Sequence, residues 1–116
     1  MSIQRIQCGK RMSQAVIANG MVFLAGQVAA DKAGASVTEQ TQNILDRIDA
    51  LLKEAGTDKT KLVSATIWLT DIRTFDEMNA VWDAWLPEGG APARATVESR
   101  LAATHYNVEI GIVAAL

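Results

Sequence analysis

The sequence predicts an α+β domain: one mixed, six-stranded-type sheet with two helices packed on the same face. Three observations predict it. The segments 37–55 and Phe75–Trp85 carry apolar residues at helical spacing, and each ends on a stop signal. Runs rich in alternating or β-branched residues stand both before and after these helices. The chain has 116 residues, which suits a single domain, 1–116, and leaves no room for a second.

The elements follow in order. Ile3–Ile6 is a short strand candidate. "AVIANGMVFLAG" joins two apolar, β-prone runs through Asn19-Gly20. That pair favours positive φ and a type I′ turn, so the segment is a hairpin. Asp31 to Ser36, with Gly34, is a loop. Ser36 and Glu39 stand at capping-box spacing, and Ile44, Ile48, Leu51, Leu52 and Ala55 form one helical stripe that stops at Gly56. "LVSATIWLTD" alternates, with Val63, Ala65, Ile67 and Leu69 on one face and Ser64, Thr66, Trp68 and Thr70 on the other. Thr74 and Glu77 form a second capping box. The stripe Phe75, Met78, Trp82 and Trp85 follows, with Asn79 beside it, and Pro87 ends the helix. Two strands close the chain, at about 93–100 and 106–115. Both helices on one face leave the other face open. Ala25, Ala29, Thr66, Trp68, Ala95, Val113 and Ala115 are candidates for it, and several are too apolar for water. A second subunit covering that face makes a homo-oligomer the expectation.

Composition removes several function classes. The chain is 49% hydrophobic and 21% charged, hence globular rather than disordered. Its net charge of −2 and the lack of a basic run argue against a nucleic-acid partner. Cys8 is the only cysteine and His105 the only histidine, so neither an intrachain disulfide nor a zinc-type ligand set is expected. No metal is expected. Residues 15–30 are uncharged and follow Arg5, Lys10 and Arg11, in outline like a signal peptide. Asn19-Gly20 and Gln27 interrupt them, and they are too short to span a membrane. A cytoplasmic location with no membrane partner is the expectation.

Two charges stand out in the last two strands. Arg94, Thr96 and Glu98 share one face of the first; Glu109, Gly111 and Val113 share one face of the second. A guanidinium matches a carboxylate in two-point contact, and a glutamate can hold a water or exchange a proton. Arg94 and Glu109 converge if the strands flank an intersubunit groove or lie close in one sheet. Pattern alone equally allows a structural ion pair, or two separate surface charges. Pro92 fixes the start of the Arg94 strand. Asn79, the three tryptophans, His105 and Cys8 each have an ordinary structural explanation as helix-boundary, core or surface residues.

"APARATV" with "VEI" beyond it, preceded by "MSQAV", "FLAGQV" and "MNAVWDAW", resembles the Rid or YjgF-like family of reactive-intermediate deaminases, nearly end to end. The resemblance implies a chorismate-mutase-like fold and a homotrimer with ligand sites between subunits. It implies cofactor-independent hydrolysis of reactive enamines and imines (2-imino acids) to 2-oxo acids and ammonia. It puts the carboxylate-binding arginine on Arg94 and the water-activating acid on Glu109. Asn79, Gly26 and Thr96 fall on its other site positions. Met12 and Ala25 stand where many members have hydroxyl residues, and Ala102 replaces a common proline. Met12 implies a less polar pocket and a larger or different substrate. The alternative is a non-catalytic trimer that binds small carboxylate metabolites through Arg94.

Overall fold

Every polar backbone group of a strand needs a partner, and this chain supplies them with one sheet. The computed structural model describes residues 2–116. The order is β1 (Ile3–Cys8), β2 (Ser13–Ala18), β3 (Met21–Leu24), β4 (Gln27–Val28), α1 (Val37–Ala55), β5 (Leu62–Leu69), α2 (Phe75–Trp85), β6 (Ala93–Glu98) and β7 (Val108–Ala115). Across the sheet the strands run β1-β2-β3-β7-β5-β6, with β4 also paired to β7. The sheet therefore has seven strands, one more than expected. The addition is β4, two residues long and too short to show a period. Only β5 and β6 are parallel, and α2 is the crossover that parallel strands require. No helix among the described residues is long and apolar enough to cross a membrane.

Local chemistry accounts for the elements. Asn19 and Gly20 sit at φ 52° and 74°, the pair of positive angles that a type I′ turn needs. Ser36 Oγ accepts from Glu39 N–H at 3.1 Å, and Gly56, at φ 90°, closes α1 in the left-handed region. The second capping box does not form. Thr74 Oγ1 donates to Asp71 O instead, and the Glu77 carboxylate accepts from Thr38 N and Oγ1. Glu77 thus caps the start of α1, a neighbouring helix, rather than its own.

The core lies between the sheet and α1. Ile44, Leu45, Ile48 and Leu52 from α1 meet Val22, Ile67, Val108 and Ile110 from the sheet, all fully buried. Strand β7 alternates without a break: Val108, Ile110, Ile112 and Ala114 face the core, and Glu109, Gly111, Val113 and Ala115 face outward. Val63 departs from the expected alternation. A bulge between Leu62 and Ser64 leaves it 44% exposed. Ala29, expected on the open face, is fully buried. The reason is a second irregularity. Phe23 pairs with Val113, but Gln27 pairs with Ile110. Between these pairs three residues, 24–26, oppose two, 111–112, so one extra residue at Ala25–Gly26 reverses which side chains face inward.

The outer sheet face carries Val16, Phe23, Trp68, Val97 and Val113, with Phe23 and Val97 each 45% exposed. The inner face is pinned at one end by an amide network. Gln40, fully buried on α1, donates to Ala35 O and Asn107 Oδ1, and its own Oε1 accepts from Asn107 N–H. Asn107 Nδ2 donates to Thr70 Oγ1. The start of β7 is thereby tied to α1 and to the end of β5. Removing Gln40 leaves buried partners unpaired, a loss of about 1–3 kcal/mol. Gln40→Ala should lower the free energy of unfolding by that amount with an unchanged urea m-value. A loss below about 0.5 kcal/mol would show that the network does not hold the strand.

Candidate active site

Arg94 stands on β6 and points toward the helices. Its in-register partners are Ala65 on β5 and, beyond it, Ile112 on β7, both core-facing. Phe75, Asn79 and Trp82 occupy positions i, i+4 and i+7 of α2, one face of the helix. The guanidinium carbon lies 5.7 Å from the Phe75 ring centre and 5.6 Å from that of Trp82. Between them Asn79 Oδ1 accepts from Arg94 Nη1 at 2.8 Å. The side chain is gripped by two aromatic faces and one amide, while no carboxylate pairs with it among the described residues. The rest of its donor fork stays available. Two residues on, Thr96 lies on the same face, and its Oγ1 is shielded from solvent with no hydrogen-bond partner. A buried hydroxyl without a partner is uncommon and costly.

Glu109 stands on the opposite face. It pairs with Trp68 and Val28, and its carboxylate rests over Gly26. A β-carbon at Gly26 would lie 2.1 Å from Glu109 Oε2, so no residue with a side chain fits there without displacing the glutamate. Gln27, 1% exposed, fixes this loop by donating to Gln14 Oε1 and Ala25 O. Burial pushes the Glu109 carboxyl above the usual glutamate range. Below Gly111, Trp68 completes the wall: its ring sits 3.4 Å from where a Gly111 β-carbon would be.

The five predicted site residues therefore form two groups. Asn79, Arg94 and Thr96 meet on the helix-facing side of the edge strand β6. Gly26 and Glu109 meet on the outer face near the centre of the sheet. Arg94 and Glu109 are one strand apart and offset by three residues in register, with Cα atoms roughly 14 Å apart and side chains on opposite faces. Convergence within one sheet, one of the two arrangements allowed by the sequence, does not occur. A structural ion pair is ruled out by the same geometry. Sequence reasoning missed Phe75 and Trp82 as the seat of Arg94. Their spacing of −4 and +3 from Asn79 was the available signal. It also missed Gln14 and Gln27, which hold the loop under Glu109.

The chain matches the family profile described as Endoribonuclease L-PSP over residues 2–116. It is 42% identical over 116 residues to RutC family protein YoaB of Escherichia coli K12, with 100% of each chain covered. It is 40% identical to a RutC family protein of Haemophilus ducreyi, covering 98% of this chain and 97% of that one. Its structure is similar to a YjgF protein family member from Neisseria meningitidis, with a TM-score of 0.95, 44% identity, and 99% and 95% of the two chains covered. A Rid protein family member from Yersinia pestis gives a TM-score of 0.91 at 29% identity, covering 99% of this chain and 100% of that one.

The raised Glu109 carboxyl has a consequence for stability. With a folded value above the unfolded one, Glu109 does not destabilise the fold at low pH, where it is protonated in both states. Destabilisation sets in as pH rises past the unfolded value, where the unfolded chain ionises but the buried carboxyl resists, and it is complete above the raised folded value. Glu109→Gln should therefore melt higher than the parent protein at neutral pH, with the gap closing toward about pH 4. Equal melting temperatures across that range would show that Glu109 is not held by burial. Gly26→Ala should abolish the gap at every pH by pushing the carboxylate into solvent.

Proposed function

This chain belongs to the endoribonuclease L-PSP family, whose members also carry the names YjgF and Rid, and from that premise we propose that it hydrolyses 2-imino acids without a cofactor. The observation that carries the reading is the isolation of two opposite charges. Among the described residues, Arg94 is gripped but unpaired by any carboxylate, and Glu109 is partly buried with no cation paired to it. Each lacks what a 2-imino acid and its attacking water would bring.

The proposed site is completed between two subunits of a homotrimer. Arg94, Asn79 and Thr96 come from one copy, and Glu109 and Gly26 from the next. The apolar outer face with Phe23, Trp68 and Val97 supports such an assembly, since burying it removes exposed hydrocarbon from water. The Arg94 fork takes the substrate carboxylate in two-point contact. Thr96 Oγ1 gains the partner it lacks. Glu109 removes a proton from a water whose oxygen attacks the C=N carbon. The same carboxyl returns that proton to nitrogen, giving a carbinolamine; it then relays the hydroxyl proton to nitrogen, the C–N bond breaks, and ammonia leaves as the carbonyl forms. A raised carboxyl suits a group that must both accept and donate a proton near neutral pH. Imine hydrolysis is already facile, so holding reactants in place supplies most of the required acceleration. The exposed thiol of Cys8 suits a reducing, cytoplasmic setting.

The experiment exploits the divided site. Arg94→Ala and Glu109→Gln should each lose most turnover of imines generated in situ by an amino-acid oxidase. Unfolded and refolded together in equal amounts, the two variants should regain about one quarter of the parent activity, because one interface in four then carries both native residues. No recovery in mixed trimers, verified by native mass spectrometry, would reject the shared site. A parent protein that stays monomeric at micromolar concentration would reject it too. Arg94→Lys should behave nearly as poorly as Arg94→Ala, since an ammonium cannot replace the planar fork seated between Phe75 and Trp82.

A further inference from the structure

Beside the Glu109 half of the site lies a cationic groove that the reaction above does not use. Arg5, Lys10 and Arg11 line it with Cys8, Met12 and Val16, around a volume of about 350 Å³. All three cations are exposed, and none has an acidic partner among the described residues. The chain as a whole is acidic, so this local excess of positive charge is not a consequence of composition.

Backbone geometry creates the groove. Ile6 faces the core, and regular alternation would send Gln7 outward and Cys8 inward. Gln7 instead takes φ 50°, a left-handed conformation that a residue with a side chain adopts at a cost. Its amide consequently reaches the helix side, where Nε2 donates to Glu54 Oε1 on α1 at 2.9 Å. Cys8 and the turn that follows are delivered to the outer face, beside Arg5. Gly9 N–H, donating to Met12 O at 2.7 Å, closes the turn and fixes Lys10 and Arg11 at its tip.

The groove borders the reacting group. Ala15 pairs with Leu24, and Ala25 N–H donates to Gln14 O, so the ladder brings Ser13 level with Gly26. Gly26 underlies the Glu109 carboxylate. Ser13 therefore lies about 10 Å, two strand spacings, from the Glu109 strand on the same outer face. Long basic side chains on this turn are within reach of a substrate whose reacting carbon sits at Glu109.

We infer that Arg5, Lys10 and Arg11 bind a second anionic group of the substrate, which makes imines of acidic, dicarboxylic side chains the preferred class. This inference rests on the proposed reaction and names the substrate that the same site selects. Arg94 takes the carboxylate next to the C=N carbon, and the groove takes the distal one. Met12, 49% exposed on the groove wall, packs against the methylenes between them.

The test compares imines of similar length, one with a distal carboxylate and one without, generated in situ by matched amino-acid oxidases. The parent protein should favour the acidic imine by about tenfold in kcat/KM, since three exposed charge contacts are individually modest. Arg5→Ala, Lys10→Ala and Arg11→Ala combined should remove that preference through KM, with kcat little changed. Added salt should weaken the parent preference in the same way. A parent protein with no preference, or a triple variant that loses both substrates equally, would overturn the inference. A second readout separates its failure from that of the reaction. Glutarate and butyrate binding is measured by calorimetry on the intact protein. If neither imine is turned over, the proposed reaction fails. The groove then still stands if glutarate binds more tightly than butyrate and the triple variant abolishes the difference, and it falls if the two bind alike.

Discussion

The side-chain alternation of β7 is the constraint on which the molecule turns. This strand pairs with β3, β4 and β5 and so touches most of the sheet. Its even-numbered residues, Val108 to Ala114, are almost wholly buried under α1. A slip of one residue would carry all four into solvent and drive Glu109 into the core. Burial of those four side chains, at about 25 cal/mol per Å² of apolar surface, fixes the register. The register then fixes Glu109 outward, opposite Trp68 and above Gly26. The Gln40–Asn107–Thr70 network reinforces the same choice by setting where the strand begins. Core packing and site geometry are thus one decision made by one strand.

That dependence explains what the sequence reveals and what it withholds. The long helix and the Asn19-Gly20 hairpin were legible because periodicity and turn chemistry are local. Arg94 and Glu109 were conspicuous as charges in apolar strands, and Asn79 and Gly26 followed from the resemblance. Their distribution over two faces was not legible. It depends on a parallel β5–β6 pairing and an antiparallel β5–β7 pairing, both of which are long-range. The extra residue at Ala25–Gly26 was hidden for a different reason. Both "LAG" and "QVAA" read as apolar strand, and only the change of register from Phe23–Val113 to Gln27–Ile110 discloses the bulge. Glu77 illustrates the same limit. Its spacing from Thr74 fits a capping box, but the helix it caps is the one that tertiary packing brings alongside.

Arg94 and Glu109 are stabilised in opposite ways. The arginine is seated by two rings and an amide and stays partly exposed to water. The glutamate is held where its charge is disfavoured. An arginine can bind an anion only while it stays charged and unpaired. A carboxyl that exchanges protons near neutrality must have its ionised form destabilised. Had the fold brought the two together within one chain, each would have quenched the other: the arginine would lose its free fork, and the glutamate would fall below the ordinary carboxylate range. Separation on opposite faces keeps both poised.

The same separation makes chemistry depend on association. On the proposed reading, a single copy presents two half-sites that face away from each other, each open to water, where electrostatic interactions are weak. Docking the outer face of one copy against the β6 edge of another would remove that water and bring a charge of each sign to one cleft. Trp68, part of the hydrocarbon that drives docking, is in register with Glu109 on the outer face, so the contacts that assemble the subunits also desolvate the carboxyl further. Association would then raise its proton affinity beyond what burial in one chain achieves, while a bound substrate carboxylate neutralises Arg94. Met12 fits this logic: where a hydroxyl would offer another polar contact, a thioether extends the apolar wall and leaves polar recognition to the arginine half and the basic turn. Interface packing and acid–base tuning would therefore not be separable in this protein, because the same side chains perform both.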